Sequence, residues 1–325
     1  MKVLVTGNLP EALIDRIKAK HEVLVHRQDR PMAREAILAQ VGDRHGLLSM
    51  ITDAVDKELM AHAPHLKIVA NFGVGYNNVD LAEATRRGIL VTNTPDVLTD
   101  ATADLTMALL LAVGRRVVEG DRHTREGRFR FWAPFHFLGH DISGKTLGII
   151  GMGRIGAAVA RRAAGFGMRL LYHNRNRLAP EAELALGVSY AEKQALLQES
   201  DFVSLHTPLT PETRHMIGAG ELASMKAGAF LINTARGPVV DERALLEALR
   251  SRLIAGAGLD VYENEPELTP GLTELPNVVL LPHAGSATVE TRNRMAALAT
   301  ENLLAGLEGR LPPACVNCEQ SKSRR

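Results

Sequence analysis

An α/β fold of two doubly wound parallel sheets is predicted by three features of the sequence. Short β-favouring runs alternate with helix-period stretches along most of the chain. The later runs are continuously apolar, as strands covered on both faces should be. The length, 325 residues, exceeds the usual size of one domain. In the first hundred residues the runs are Lys2–Thr6, Glu22–His26, Gly46–Met50, Leu66–Ala70 and Ile89–Thr92, with helical stretches such as Pro10–Lys20 and Pro31–Val41 between them. After Thr94-Pro95 the pattern changes, and Asp100 reads as the N-cap of a long apolar-striped helix through Ala101–Leu111 towards Glu119. The second series is Thr146–Ile150, Arg169–His173, Phe202–His206, Ala229–Asn233, Ala257–Leu259 and Val278–Leu281. Thr288 then reads as the cap of a final helix, Val289–Gly306, and the polar end Glu319–Arg325 is expected to be disordered. Periodicity leaves open where the final helix docks.

Composition narrows the function classes. A formal net charge of +1 supplies no field to hold nucleic acid or an anionic membrane. The pairs Arg115-Arg116 and Arg161-Arg162 fall within helical patterns and read as solvated faces. The two cysteines, Cys315 and Cys318, form a lone C-x-x-C near the carboxyl end without metal-spaced partners, and read as an incidental pair in a tail. No metal site is expected. No stretch approaches the ~20 apolar residues of a membrane span, and Met1 leads straight into Val3-Leu4-Val5 without the basic and apolar regions of a secretory leader. A cytoplasmic protein with a small-molecule ligand is the expectation.

The strongest local motif is Gly148-Ile149-Ile150-Gly151-Met152-Gly153-Arg154-Ile155-Gly156, which ends one strand and opens the helix Ala157–Ala164. G-x-G-x-x-G alone is a weak signal, since a tight strand–helix turn needs glycine with or without a ligand; here both flanks fit dinucleotide binding in a Rossmann-like domain. Gly151 permits the tight turn, Gly153 lets backbone N–H groups approach a pyrophosphate, and Gly156 allows close packing of helix on strand. The next strand would normally end in an acid that binds the ribose hydroxyls of NAD, but no Asp or Glu occurs between Gly156 and Glu181. The chain reads Tyr172-His173-Asn174-Arg175-Asn176-Arg177 instead. Arginine there can pair with a 2′-phosphate, with Arg177 sharing the load and Asn174 donating a further bond. NADP(H) is therefore the expected cofactor, with NAD(H) as the alternative.

Three further segments stand at strand ends of the second series: Asn233-Thr234-Ala235-Arg236-Gly237, Gly258–Pro266 and Leu281-Pro282-His283-Ala284-Gly285-Ser286. They supply a fixed cation, a carboxylate and an imidazole. Reduction of a 2-keto acid needs all three: a cation for the substrate carboxylate and carbonyl, an imidazolium to protonate the developing alkoxide, and a carboxylate to stabilise and orient that imidazolium. With these segments, Asn71-Phe72-Gly73-Val74-Gly75-Tyr76-Asn77-Asn78-Val79-Asp80 and His206-Thr207-Pro208-Leu209-Thr210-Pro211-Glu212-Thr213 complete a set of motifs in order. The chain resembles the D-isomer-specific 2-hydroxyacid dehydrogenases over nearly its whole length, and within them looks closest to glyoxylate/hydroxypyruvate reductases.

The resemblance implies that Arg236, Glu265 and His283 are catalytic, His283 as acid/base, Glu265 as its partner and Arg236 as the substrate anchor. It implies that backbone N–H groups at Val74 and Gly75 grip the substrate carboxylate together with Arg236 and His283. For the cofactor it implies Thr102, Gly151, Gly153, Arg154, Ile155, Gly156, Asn174, Arg175, Thr207, Pro208, Thr213, Thr234, Ala235, Asp260, His283 and Gly285. It makes the substrate domain discontinuous and flavodoxin-like, residues 1–99 with 287–325, and inserts a dinucleotide-binding domain of residues 100–286. A homodimer through the cofactor domain is implied as well. Glu265 argues against the formate-oxidising relatives, which lack that carboxylate. Phosphoglycerate- or lactate-type dehydrogenases, or a dinucleotide-sensing corepressor that keeps the fold, are the rival readings. His123, His136 and His140 lie in an aromatic-rich stretch with Trp132, where surface and packing roles compete with a reach into a neighbouring subunit's active site.

Overall fold

In the computed structural model, which describes residues 1–318, the chain forms two compact units: Met1–Leu98 with the chain from Ala287 onward, and Thr99–Ser286. Both are built on parallel sheets. The expected polar end, Glu319–Arg325, lies outside the described residues.

The first unit carries β1 (Lys2–Val5), β2 (Glu22–Val25), β3 (Gly46–Met50), β4 (Ile68–Phe72) and β5 (Leu90–Thr92), in the spatial order β2-β1-β3-β4-β5. Leu4, Leu47, Val69 and Val91 point to one face and pack with Ile37, Val41, Leu59 and Met60 from helices. The other face takes the final helix, Val289–Leu307, whose N-cap is Thr288: its hydroxyl accepts the Thr291 N–H at 3.1 Å. Gly46 and Gly306 let that helix lie on the sheet, because a Cβ at Gly46 would stand 2.8 Å from Leu303 and one at Gly306 would collide with Ile68.

Cys315 and Cys318 depart from the expectation of an incidental tail. They are joined as a disulfide. Cys315 bridges Thr92 antiparallel, Val316 N–H bonds to Val91 O at 2.8 Å, and the buried Asn317 accepts Val91 N–H at 2.9 Å. The segment thus satisfies backbone groups that the edge strand β5 would otherwise leave unpaired.

The second unit carries β6 (Thr146–Ile150), β7 (Arg169–His173), β8 (Val188–Tyr190), β9 (Phe202–Leu205), β10 (Phe230–Asn233), β11 (Gly256–Leu259) and β12 (Val278–Leu280). Their order, β12-β11-β10-β9-β6-β7-β8, runs outwards in both directions from the β6/β9 pair. Leu147, Ile149, Leu170, Phe202 and Ile232 meet the helices Thr99–Gly114 and Arg154–Ala164 on one face. Ile150, Leu171, Val203, Leu205 and Leu231 meet Leu245 and Leu249 on the other. This two-sided burial is why the strands read as unbroken apolar runs.

Two local expectations need correction. Asp100 is not a cap: the helix begins at Thr99, and Asp100 and Asp104 pair with Arg162 at 3.0 and 2.6 Å, tying it to the helix Arg154–Ala164. Nor does this helix continue to Glu119. It stops at Gly114, Arg116 adopts φ 55°, and a second helix runs Val117–Arg125. The break is held by the Arg116 guanidinium, which binds Glu119 at 2.6 and 2.8 Å and Leu138 O at 3.0 Å, and lies over the Phe137 ring. Arg116 and Arg162 are therefore ion-paired structural residues and not solvated charges. Among the described residues no helix is long and apolar enough to cross a membrane, and no cluster of His, Cys, Asp and Glu could hold a metal.

Candidate active site

The strands of the large sheet end in register. Ile150 pairs with Leu205, Leu205 with Asn233, Asn233 with Leu259 and Leu259 with Leu280. Gly151, His206, Thr234, Asp260 and Leu281 therefore leave the sheet along one edge, with the β6/β9 switch point among them.

Around the switch point the backbone is packed closely. Gly151 has φ +99°, and a Cβ on it would stand 2.7 Å from the His206 carbonyl. A Cβ on Gly156 would collide with Gly151 O, so the third glycine serves helix-on-strand packing. Gly153 is different: its Cβ would meet nothing within 4 Å, and it N-caps the helix Arg154–Ala164 without a side-chain cap. The uncapped helix start at Arg154 and Ile155, beside open space, fits the pyrophosphate of a dinucleotide in donor type and in dipole sign. The neighbouring His206 ring contacts Ser204 Oγ at 2.8 Å, and burial pushes its imidazole down to about 4, so it is neutral at pH 7. In the following loop Thr207 Oγ1 meets Met216 Sδ at 3.7 Å. Thr213 Oγ1 donates to Pro208 O at 2.6 Å and accepts Thr210 N–H at 2.8 Å, committing that hydroxyl to the loop itself.

Beyond β7, Asn174 Oδ1 accepts the Met152 N–H at 2.6 Å. That bond braces the glycine turn and directs the Asn174 amide NH2 the other way. Arg175 is exposed and, among the described residues, makes no ion pair. Arg177, expected to share a phosphate, has its guanidinium held bidentately by Glu183, at 2.8 and 2.8 Å, and lies over the Tyr190 ring. Glu183 in turn accepts the Tyr172 hydroxyl at 2.6 Å.

The catalytic candidates come from three adjacent strands. After β10, Asn233 cross-braces the turn, its Oδ1 accepting Ala235 N–H and its Nδ2 donating to Arg236 O, both at 3.0 Å. Thr234 Oγ1 contacts Thr106 Oγ1 at 2.8 Å. A Cβ at Gly237 would collide with the Tyr262 carbonyl, so only glycine lets the Arg236 loop rest on the loop that carries Glu265. Burial pulls the Arg236 guanidinium below its ordinary value, opposed by the nearby Glu265 charge.

After β11 and β12, Glu265 Oε2 meets His283 Nδ1 at 2.7 Å while Glu265 Oε1 accepts Tyr262 N–H at 2.9 Å. A carboxylate only accepts, so Nδ1 carries the proton in this bond and Nε2 faces away from Glu265. Burial would raise the Glu265 carboxyl, but its bond and charge contact with His283, the Tyr262 N–H and Arg236 outweigh it, leaving the group below its ordinary value. His283 itself stands at φ 56°. The buried Asp260 holds that conformation, its oxygens accepting Ala284 N–H at 2.6 Å and Gly285 N–H at 2.7 Å. Burial pushes the Asp260 carboxyl upward against those two bonds. A Cβ on Gly285 would stand 3.1 Å from Asp260 and 3.5 Å from the buried Thr102. Tyr262 Oη donates to Leu281 O at 2.7 Å and ties the two loops together.

Arg236, Glu265 and His283 thus share one sheet edge with the dinucleotide candidates. Val74 and Gly75 lie on the other unit, in the half-exposed loop after β4. The braces Asn233, Tyr262 and Thr106 are not among the site residues expected from sequence. Asn233 carried a readable cue, an Asn at a strand-to-turn junction; the other two join segments far apart in the chain.

A family model described as the NAD binding domain of D-isomer specific 2-hydroxyacid dehydrogenases matches residues 107–285. Proteins named glyoxylate reductase are 52% identical to this chain in Thermococcus litoralis, over 97% of this chain and 96% of that one, and in Korarchaeum cryptofilum, over 99% and 98%. Among solved structures, a Thermus thermophilus protein is 51% identical with a TM-score of 0.90, covering 97% of this chain and 100% of its own. An NADPH-dependent glyoxylate/hydroxypyruvate reductase of Sinorhizobium meliloti, solved with NADP and malonate, is 37% identical with a TM-score of 0.87 over 97% and 96%.

Proposed function

The chain belongs to the D-isomer-specific 2-hydroxyacid dehydrogenases, NAD(P)-dependent oxidoreductases, and on that premise we propose that it reduces glyoxylate, hydroxypyruvate or a similar small 2-keto acid with NADPH. The observation that carries this reading is the 2.7 Å His283–Glu265 pair beside Arg236 at the edge of the dinucleotide-type sheet. The dinucleotide, when bound, supplies the hydride for the carbonyl carbon. His283 Nε2 holds the proton for the carbonyl oxygen, and Glu265 stabilises the imidazolium that carries it. Arg236 holds the substrate carboxylate and polarises the carbonyl. On the family resemblance, N–H groups at Val74 and Gly75 are further candidate donors to a substrate carboxylate.

The NADPH assignment rests on Asn174 standing where an acid would exclude a 2′-phosphate, and on the exposed Arg175 next to it. The relatives named glyoxylate reductase support the substrate class. The reading also includes a homodimer, supported by a run of exposed apolar residues in the second unit: Val117, Val118, Phe129, Phe131, Trp132, Phe135 and Leu138.

Steady-state reduction of glyoxylate and hydroxypyruvate, with NADPH and with NADH, tests substrate and cofactor together. NADPH should be preferred in kcat/KM. Arg175→Ala should cut that preference by about 10- to 150-fold, the value of one charge-assisted bond. A wild-type ratio near one rejects the NADPH assignment and leaves the reductase reading intact.

A further inference from the structure

In the loop after β4 three successive carbonyls are tied to the protein, while the N–H groups that follow them in the same peptide planes are not. Gly73 O accepts Thr94 N–H at 2.9 Å, Val74 O accepts Asn93 Nδ2 at 2.8 Å, and Gly75 O accepts Asn71 Nδ2 at 3.0 Å. Across a trans peptide plane the carbonyl of one residue and the N–H of the next point in opposite directions. Three successive planes are therefore fixed with the N–H groups of Val74, Gly75 and Tyr76 turned away from their clamps. Among the described residues none of the three donates to a protein acceptor.

The two amides are themselves locked. Asn71 is fully buried, and its Oδ1 receives Ser49 Oγ at 3.3 Å and Asn78 Nδ2 at 3.1 Å, so its NH2 is the end that faces Gly75 O. Asn93 is pinned through its backbone: its N–H donates to Ala314 O at 3.2 Å and its carbonyl accepts Asn302 Nδ2 at 3.1 Å. A loop held this way is a preorganised set of donors, which binds an anion without reorganising first.

We propose that Asn93 and Asn71 are positioning residues for the substrate carboxylate, holding the carbonyls of Val74 and Gly75 so that the N–H groups of Gly75 and Tyr76, beside that of Val74, face the anion. The inference rests on the reductase reading above and deepens it. Neither asparagine touches substrate; each acts through the peptide plane that it orients.

The discriminating readout is the carboxylate itself. Glycolaldehyde offers a reducible carbonyl without a carboxylate, and oxamate offers the carboxylate without turnover. Asn93→Ala should lower kcat/KM for glyoxylate by about tenfold or more, chiefly through KM, and weaken oxamate by a similar factor. Glycolaldehyde reduction and NADPH affinity should stay unchanged. Asn93→Ser, which remains polar but is too short to reach Val74 O, should reproduce the selective loss, as should Asn71→Ser. Parallel losses with glyoxylate and glycolaldehyde, or undiminished oxamate binding, would overturn the inference alone. A wild type that neither reduces glyoxylate nor binds oxamate would overturn the functional reading and the inference with it.

Discussion

At Glu265 two demands meet. Burial disfavours its charge, while the His283 bond, the Tyr262 N–H and Arg236 favour it, and the net result is a carboxyl below its ordinary value. A depressed carboxyl contributes stability that is present above its unfolded value and lost as pH falls through the folded one. The pair is thus intact throughout the neutral range. On the proposed mechanism, reduction draws its proton from His283 and oxidation returns it there. Reductive kcat should fall as pH drops through the depressed Glu265 value and the pair is lost. Glu265→Gln should lower kcat and remove that acid limb, because the titrating carboxylate is gone while the shape is kept. Profiles of the two enzymes that superimpose, under conditions where chemistry limits the rate, would contradict the pairing. His283, Glu265 and Arg236 stand out in the sequence because each falls just past an apolar run, and the structure brings them to one sheet edge; their catalytic roles belong to the proposal. Asp260 was legible only in part. It reads as a cofactor contact in sequence, yet in the structure both its oxygens hold the backbone of the His283 loop. The Arg177–Glu183 pair was not legible, because Glu183 lies on the next helix and charge alone does not reveal which partner an arginine takes.

At the scale of elements, the loops of the edge support one another through backbone contact. Gly237 is the point of closest approach, where a Cβ would collide with the Tyr262 carbonyl. Gly237→Ala should lower the melting temperature by about 2–12 °C, the range set by overpacking costs and the usual scaling of midpoint with stability. It should also reduce kcat/KM by pushing the Arg236 loop off the loop of Glu265. Gly228→Ala is the control, since its Cβ would meet nothing within 4 Å. Equal melting temperatures for the two variants would show that the loops have room to separate. The strands were readable almost to the residue where both faces are buried, as in β6 and β7, because continuous apolar character is itself the signal. The break at Arg116 was not readable. Helix propensity continues through Arg115-Arg116, and the left-handed residue is enforced by Glu119, Leu138 and Phe137, one of them a turn away and the others on a separate segment.

On the scale of the whole molecule, the aromatic segment around Trp132 departs from an ordinary surface. Phe135 is 87% and Trp132 80% exposed in the single chain, an arrangement that a covered face explains. Sedimentation should show a dimer, and replacing Phe131 and Trp132 together with Glu should yield a folded monomer; a wild type that sediments as a monomer rejects the dimer. Sequence reading could anticipate the two parallel sheets because periodicity and buried strands are local properties. It left open where the final helix docks, because the Leu303 and Ile68 contacts are set by packing between distant segments. The proposed reduction turns on His283 delivering a proton from the 2.7 Å pair with Glu265. The direct measurement is kcat for glyoxylate reduction by His283→Ala alongside its NADPH dissociation constant. With His283 as proton donor, kcat should fall ~10²–10⁴-fold with NADPH affinity unchanged. A variant that keeps near wild-type kcat would contradict it.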